Sequence, residues 1–280
     1  MVKRLKPVEL FLTLGLAATV GACGSPSADT SGGEATHDGG HASVEATAQG
    51  GEGGEGGEGG EGGEGGESAS TGNADVDYMT TLGLMKGHLM VAKELIDQGN
   101  YAEAEPHIGH PVEELYGGIE GELSARNVPE FKSTLNELHD LSKSAPDKPE
   151  TTTAFDASMQ SIDEAIAAIP DAERQSPDFV LDVINGMLRT AAEEYEAAIA
   201  DNKFVELVEY QDSRGFVLYS EELYQTIADQ MSQERPDDHQ AIVTSLDELK
   251  AAWPAVEPPA APVKSPSEVS SLVSQIELSS

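Results

Sequence analysis

Residues 75–100 read DVDYMTTLGLMKGHLMVAKELIDQGN, and this stretch decides the fold. Its apolar residues recur at intervals of three and four: Leu82, Met85, Leu89, Ala92, then Leu95 with Ile96. Side chains three and four apart lie over one another on a helix, so the pattern is one apolar stripe, not the alternation of a strand. The stripe runs out at Asp97-Gln98-Gly99-Asn100, where a glycine can close the helix in a left-handed conformation.

The same spacing continues toward the C-terminus. A second helix is expected from Tyr101 to about Leu123, interrupted by Pro106 and Pro111. A third carries Phe131, Leu135, Leu138 and Leu141, and a fourth spans about Thr153 to Ile169. The fifth runs from about Phe179 to Ala200, the sixth from Phe204 to Met231 and the seventh from Asp238 to Trp253. No segment alternates convincingly as a strand. The expected fold is an all-α, up-and-down helical bundle over residues 74–253, with short turns joining antiparallel neighbours. Residues 254–280 read as a Pro/Ala-rich linker and a short final helix, Glu268 to Leu278. Met85–Asn100 and Met187–Asn202 are both helices ending in a small polar turn, 102 residues apart, which hints at duplicated helical hairpins. That offset lays His107 over Glu209 and His110 over Asp212.

The chain has 280 residues and a formal charge of −35. Such acidity excludes nucleic acid as a partner, because phosphates must be neutralised by Lys and Arg. It also argues against electrostatic adhesion to anionic lipid. A strongly hydrated surface or local attraction of cations remains.

The N-terminus reads MVKRLKPVELFLTLGLAATVGAC. Lys3, Arg4 and Lys6 precede an apolar run from Val8 to Val20, too short to span a bilayer but long enough for a signal segment. Val20-Gly21-Ala22-Cys23 resembles the lipobox of bacterial lipoproteins. The resemblance implies a signal peptide over residues 1–22 and lipid attachment at Cys23, the only cysteine. It places the chain in the cell envelope, held to a membrane by its lipid; in a Gram-negative cell, Gly24 resembles outer-membrane sorting, facing the periplasm. Two or more acyl chains, at about 0.8 kcal/mol per buried methylene, make such an anchor stable. Residues 23–73, with six Gly-Gly-Glu units from Gly50 to Glu67, read as a disordered tether. The G-x-G-x-x-G match within it has no flanking strand or helix and is not a dinucleotide site.

The densest run of ligand-type residues is Glu105-Pro-His107-Ile-Gly-His110-Pro-Val-Glu113-Glu114. On a continuous helix His107, His110 and Glu113 share one face. Imidazole with carboxylate suits iron, copper or zinc. Pro111 removes a helical hydrogen bond and frees a carbonyl near His107. Across the Gly99-Asn100 turn, His88 can face His110, and Met79, Met85 and Met90 add thioethers nearby, so heme is also a candidate. The expected metal ligands are His88, His107, His110 and Glu113, with Glu209 and Asp212 as second choices. Arg214 could pair with either of the latter or bind an anionic group. His139 and His239 look like surface residues.

Around His110-Pro-Val-Glu113 the sequence resembles the imelysin-like iron-uptake lipoproteins, whose mark is Gly-x-His-x-x-Glu in an all-α duplicated bundle. His110 and Glu113 match, whereas Ile108 occupies the position of the glycine. The resemblance covers about ten residues and the general layout. It implies metal uptake in the envelope, with a transporter or metal-handling protein as partner and no established peptidase chemistry. No H-E-x-x-H, G-x-S-x-G or Walker A pattern nominates an enzyme. The competing expectation is a non-enzymatic protein-interaction module on the envelope.

Overall fold

The computed structural model describes residues 70–280. The leader, Cys23 and residues 23–69 of the expected tether lie outside them. The described chain forms α1 (Ala74–Gln98), α2 (Tyr101–His110), a π-helical turn (Pro111–Leu115), α3 (Tyr116–Ala125), α4 (Lys132–Ser144) and α5 (Pro149–Ile166). A one-turn α6 (Asp171–Arg174) leads into α7 (Pro177–Ala197), α8 (Leu207–Glu234), α9 (Pro236–Lys250) and α10 (Pro266–Leu278). No helix among the described residues is long and apolar enough to cross a membrane.

The fold is the expected all-α bundle, and its helices start and stop where local chemistry says they should. Asn73 caps α1, its side chain accepting from the amides of Asp75 and Val76. Gly99 closes the helix at φ 80°, its amide donating to Ile96 and that of Asn100 to Leu95. Proline stands in the first turn of α5, α7, α9 and α10, where its missing amide costs nothing. The fifth helix ends three residues before, and the sixth begins three residues after, the positions their apolar pattern suggests. Asp201 and Asn202 both take positive φ, which is the backbone of a tight hairpin turn. They join β1 (Ile199–Ala200) to β2 (Lys203–Phe204), a two-residue antiparallel ladder where the apolar spacing predicts helix ends.

Two sets of four helices repeat one arrangement. In the first, α1 packs on α2, α2 on α4, α4 on α5, and α5 back on α1. In the second, α7 packs on α8, α8 on α9, α9 on α10, and α10 back on α7. The sets meet through α1 against α7 and α8, and α2 against α8. The repeated order of contacts agrees with the 102-residue offset.

The apolar stripe of α1 lies in the shared core, with Leu82, Met85, Leu89, Ala92 and Leu95 all at 0 % exposure. Each buried leucine or methionine among them contributes about 1.5–3 kcal/mol. Where α1 crosses α8, Gly87 and Gly215 face one another, and a Cβ on Gly215 would run into the Gly87 carbonyl oxygen. The absence of side chains at these two positions sets how closely His88 on α1 approaches Asp212 on α8. Buried tyrosines fix the last connection: the hydroxyls of Tyr210 and Tyr195 donate to the carbonyls of Ala255 and Lys264, each at 2.8 Å.

Candidate metal centre

Pro111 has no amide to donate to the His107 carbonyl, and the chain answers by widening. The amide of Tyr116 donates five residues back, to the Pro111 carbonyl. Such π-turns frequently occur at functional sites. Here the turn lies directly after His110, on a helix that packs against both α1 and α8.

The result is a buried cluster. Nδ1 of His88 and Nδ1 of His107 each lie 2.6 Å from Oδ1 of Asp212, and Nδ1 of His110 lies 3.1 Å from Oδ2. Ligand atoms of the four residues all fall within 4.8 Å of one another. His107 is wholly buried, Asp212 and His88 nearly so, and the His110 side chain keeps 19 % exposure. Nε2 of His107 is held by Oε1 of Gln211 at 2.8 Å, which orients the ring. The edge-on ring of Phe216 packs against His88, centroids 4.9 Å apart.

The electrostatics follow from this crowding. Burial alone would raise the Asp212 carboxyl, but the charges of His88 and His107 and the hydrogen bonds from His107 and His110 hold it well below the usual carboxylate range. Burial works against protonation of His107 and His110. In both, the Asp212 carboxylate outweighs it, and His110 is pushed up to about 9. A carboxylate oxygen only accepts, so each ring nitrogen facing Asp212 needs a proton or a cation between the two atoms. Three imidazoles and one carboxylate are a donor set suited to iron, zinc or copper.

A second group of carboxylates borders the cluster. The carboxyls of Glu194 on α7 and Glu209 on α8 act on one another. Burial first, then Glu209, Asp212 and Glu114, push the Glu194 carboxyl up to about 10. Glu114 and Glu209 also act on His110. From Asp212 outward the carboxylates pass from buried through half-buried Glu194 and Glu209 to exposed Glu114.

The structure brings His88, His107 and His110 together with Asp212, one of the two second-choice residues, and places Glu209 at the border. Glu113 stands apart. Its side chain is 60 % exposed and its Oε1 lies 3.6 Å from Nδ1 of His139. In a π-turn more than four residues complete a revolution, so position i+4, Glu114, faces the His110 side in place of i+3. His139 is buried, against the expectation of a surface residue, because Glu105 takes its Nε2 at 2.7 Å and Gly109 leaves room for the ring. Arg214 pairs with Glu94 at 3.0 Å and the Trp253 carbonyl at 3.0 Å, not with Glu209 or Asp212. Met79 and Met85 are core side chains. Nothing in the sequence singles out Gln211, Glu194 or the role of Glu114; the i, i+3 pair Glu209/Asp212 and the 102-residue offset signal that α8 contributes.

No curated protein and no solved structure matches the chain. Residues 170–280, the segment that holds α6 to α10, match the iron permease-associated 4-helix bundle domain. This is a different family from the imelysin-like one that His110 and Glu113 resemble. The matched segment coincides with the second set of four helices and supplies Glu194, Glu209 and Asp212, while the three histidines come from the helices before it.

Proposed function

We propose that the chain binds a transition-metal ion, iron in the first place, at His88, His107, His110 and Asp212, and that it serves iron uptake in the cell envelope. The observation that carries this reading is the convergence of four ligand atoms within 4.8 Å around one buried carboxylate. Three helices meet there, α1 and α2 from the first set and α8 from the second, so the ligands are positioned by packed core and not by loops. The similarity of residues 170–280 to an iron permease-associated domain supports iron as the cargo and a permease as the partner. A bound ion rather than heme fits the site, since the rings of His88 and His110 lie edge to face with centroids 5.0 Å apart and both contact Asp212. Cys23 is the proposed lipid attachment that keeps the chain at the membrane where such a permease works. The role assigned is binding and transfer, not catalysis.

The test is elemental analysis of the full chain after exposure to iron, zinc and copper salts and exhaustive dialysis. Retained iron that is lost in the His107→Ala/His110→Ala double variant is the expected result. A chain that retains none of the three metals, or a double variant that retains all of its metal, overturns the reading.

A further inference from the structure

Two consecutive residues of α8 grip the His107 ring from both ends. Its Nδ1 lies 2.6 Å from Oδ1 of Asp212 and its Nε2 lies 2.8 Å from Oε1 of Gln211. Among the described residues, His107 alone of the three histidines has a hydrogen-bond partner on each ring nitrogen; His88 and His110 meet Asp212 through Nδ1. Gln211 is 1 % exposed and His107 is wholly buried, so solvent does not compete for this contact.

An amide oxygen only accepts, so the Nε2 that faces it carries a proton. A neutral imidazole has one such proton, and with Nε2 holding it the lone pair lies on Nδ1, toward Asp212. Two acceptors then stand 2.6 Å apart, an arrangement that a shared cation satisfies. The amide's own Nε2 is buried and finds no hydrogen-bond partner among the described residues. Turned over, the amide would pair that donor with a lone pair on the ring's Nε2, but the ring would then hold its proton on Nδ1, where the lone pair is needed for a metal. We propose that Gln211 is a positioning residue for the metal centre: its carbonyl oxygen keeps the His107 proton on Nε2 and so commits Nδ1 to the ion. The proposal rests on the metal-binding reading above and adds to it the atom through which His107 ligates. A hydrogen bond accepted from the far nitrogen also raises the basicity of the ligating one.

Two variants of the full chain separate this hydrogen bond from packing. Gln211→Met keeps the length of the side chain and loses the acceptor, whereas Gln211→Glu keeps the acceptor. Each is titrated with Fe(II) without oxygen, after circular dichroism and a melting curve establish that it folds. Gln211→Met should bind about 10–100-fold more weakly than the wild type, and Gln211→Glu should recover at least the wild-type affinity. A Gln211→Met chain within about twofold of the wild type, or two folded variants weakened alike, overturns the role. The nitrogen-15 spectrum of the wild-type histidines with Zn(II) bound needs no variant. His107 should keep its proton on Nε2 with Nδ1 on the metal, and the reverse arrangement overturns the proposal. Each of these failures leaves the metal-binding reading standing. A wild-type chain that binds neither Fe(II) nor Zn(II) overturns that reading, and the role of Gln211 with it.

Discussion

His107 and Asp212 lie 105 residues apart in the chain and meet at 2.6 Å between Nδ1 and Oδ1, with no exposure of the ring and almost none of the carboxylate. The contact ties α2 of the first four-helix set to α8 of the second. In low dielectric such a pair is worth little over a hydrophobic replacement, but removing one member strands the other.

The first expected outcome follows from that asymmetry. Asp212→Ala leaves three imidazoles around an apolar gap, so it should abolish metal retention and cost about 3–5 kcal/mol of stability. Asp212→Asn keeps the volume and part of the hydrogen bonding. It should also abolish metal retention, at a smaller cost in stability. Urea denaturation with elemental analysis separates the two, and a stable Asp212→Ala chain that still holds metal would contradict the assignment.

The second concerns pH. His110 is raised from 6.5 to about 9 and Glu194 from 4.5 to about 10, so for both the folded state binds protons more tightly than the unfolded one. Their stabilisation is complete below the unfolded values and is lost as pH rises through the folded ones. Asp212 is shifted down, so its contribution is present above 3.8 and lost as pH falls through its depressed folded value. The metal-free chain should therefore lose stability between pH 6.5 and 9. Each group contributes at most about 1.4 kcal/mol per pH unit to that loss. Metal affinity should rise over the same window, because ligation needs neutral imidazole. Melting curves in chelator and metal titrations across this range check both slopes. A metal-free chain that grows more stable toward pH 9 would be inconsistent with them.

How much of this is legible in the sequence follows from which signals are local. Helix identity is, because the three-and-four spacing of Leu82, Met85, Leu89 and Ala92 depends only on one face being buried. The turn at Asp201-Asn202 is less so, since the apolar pattern runs up to it from both sides. His88, His107 and His110 can be placed near one another by counting from the Gly99 turn. Asp212 emerges through its i, i+3 spacing from Glu209 and the 102-residue offset. Glu194 is not legible: Glu193-Glu194 has the look of a solvated face, and only the packing of α7 on α8 distinguishes the half-buried member from the exposed one.

The third outcome tests the helix crossing. Gly215→Ala gains about 1 kcal/mol of intrinsic helix propensity. It also drives a methyl into the Gly87 carbonyl, which is backbone and has no rotamer to change. Overpacking of this kind costs about 1–3 kcal/mol, so the net effect should be destabilising. Because α1 and α8 must separate there, His88 moves from Asp212 and metal affinity should fall as well. Denaturation and metal titration of the same variant check the two effects, and a variant more stable than wild type would show that the crossing is not tight.

The last outcome distinguishes the two glutamates after Pro111. On an ordinary helix Glu113, three residues beyond His110, would share its face, and Glu113→Ala would remove a ligand. The π-turn changes that geometry: Glu113 turns toward His139 at 3.6 Å, and Glu114 acts on His110 and Glu194 from the exposed side. Glu113→Ala should therefore leave metal affinity within about twofold of wild type, consistent with the small worth of an exposed pair. Glu114→Ala should slow metal capture several-fold at low salt, with the difference shrinking as salt screens a charge outside the buried cluster. Stopped-flow metal binding at two ionic strengths reads this directly. If Glu113→Ala is the variant that loses metal, the turn at Pro111 closes as an α-helix when the ion binds, and His110 and Glu113 act together as the imelysin-like motif implies.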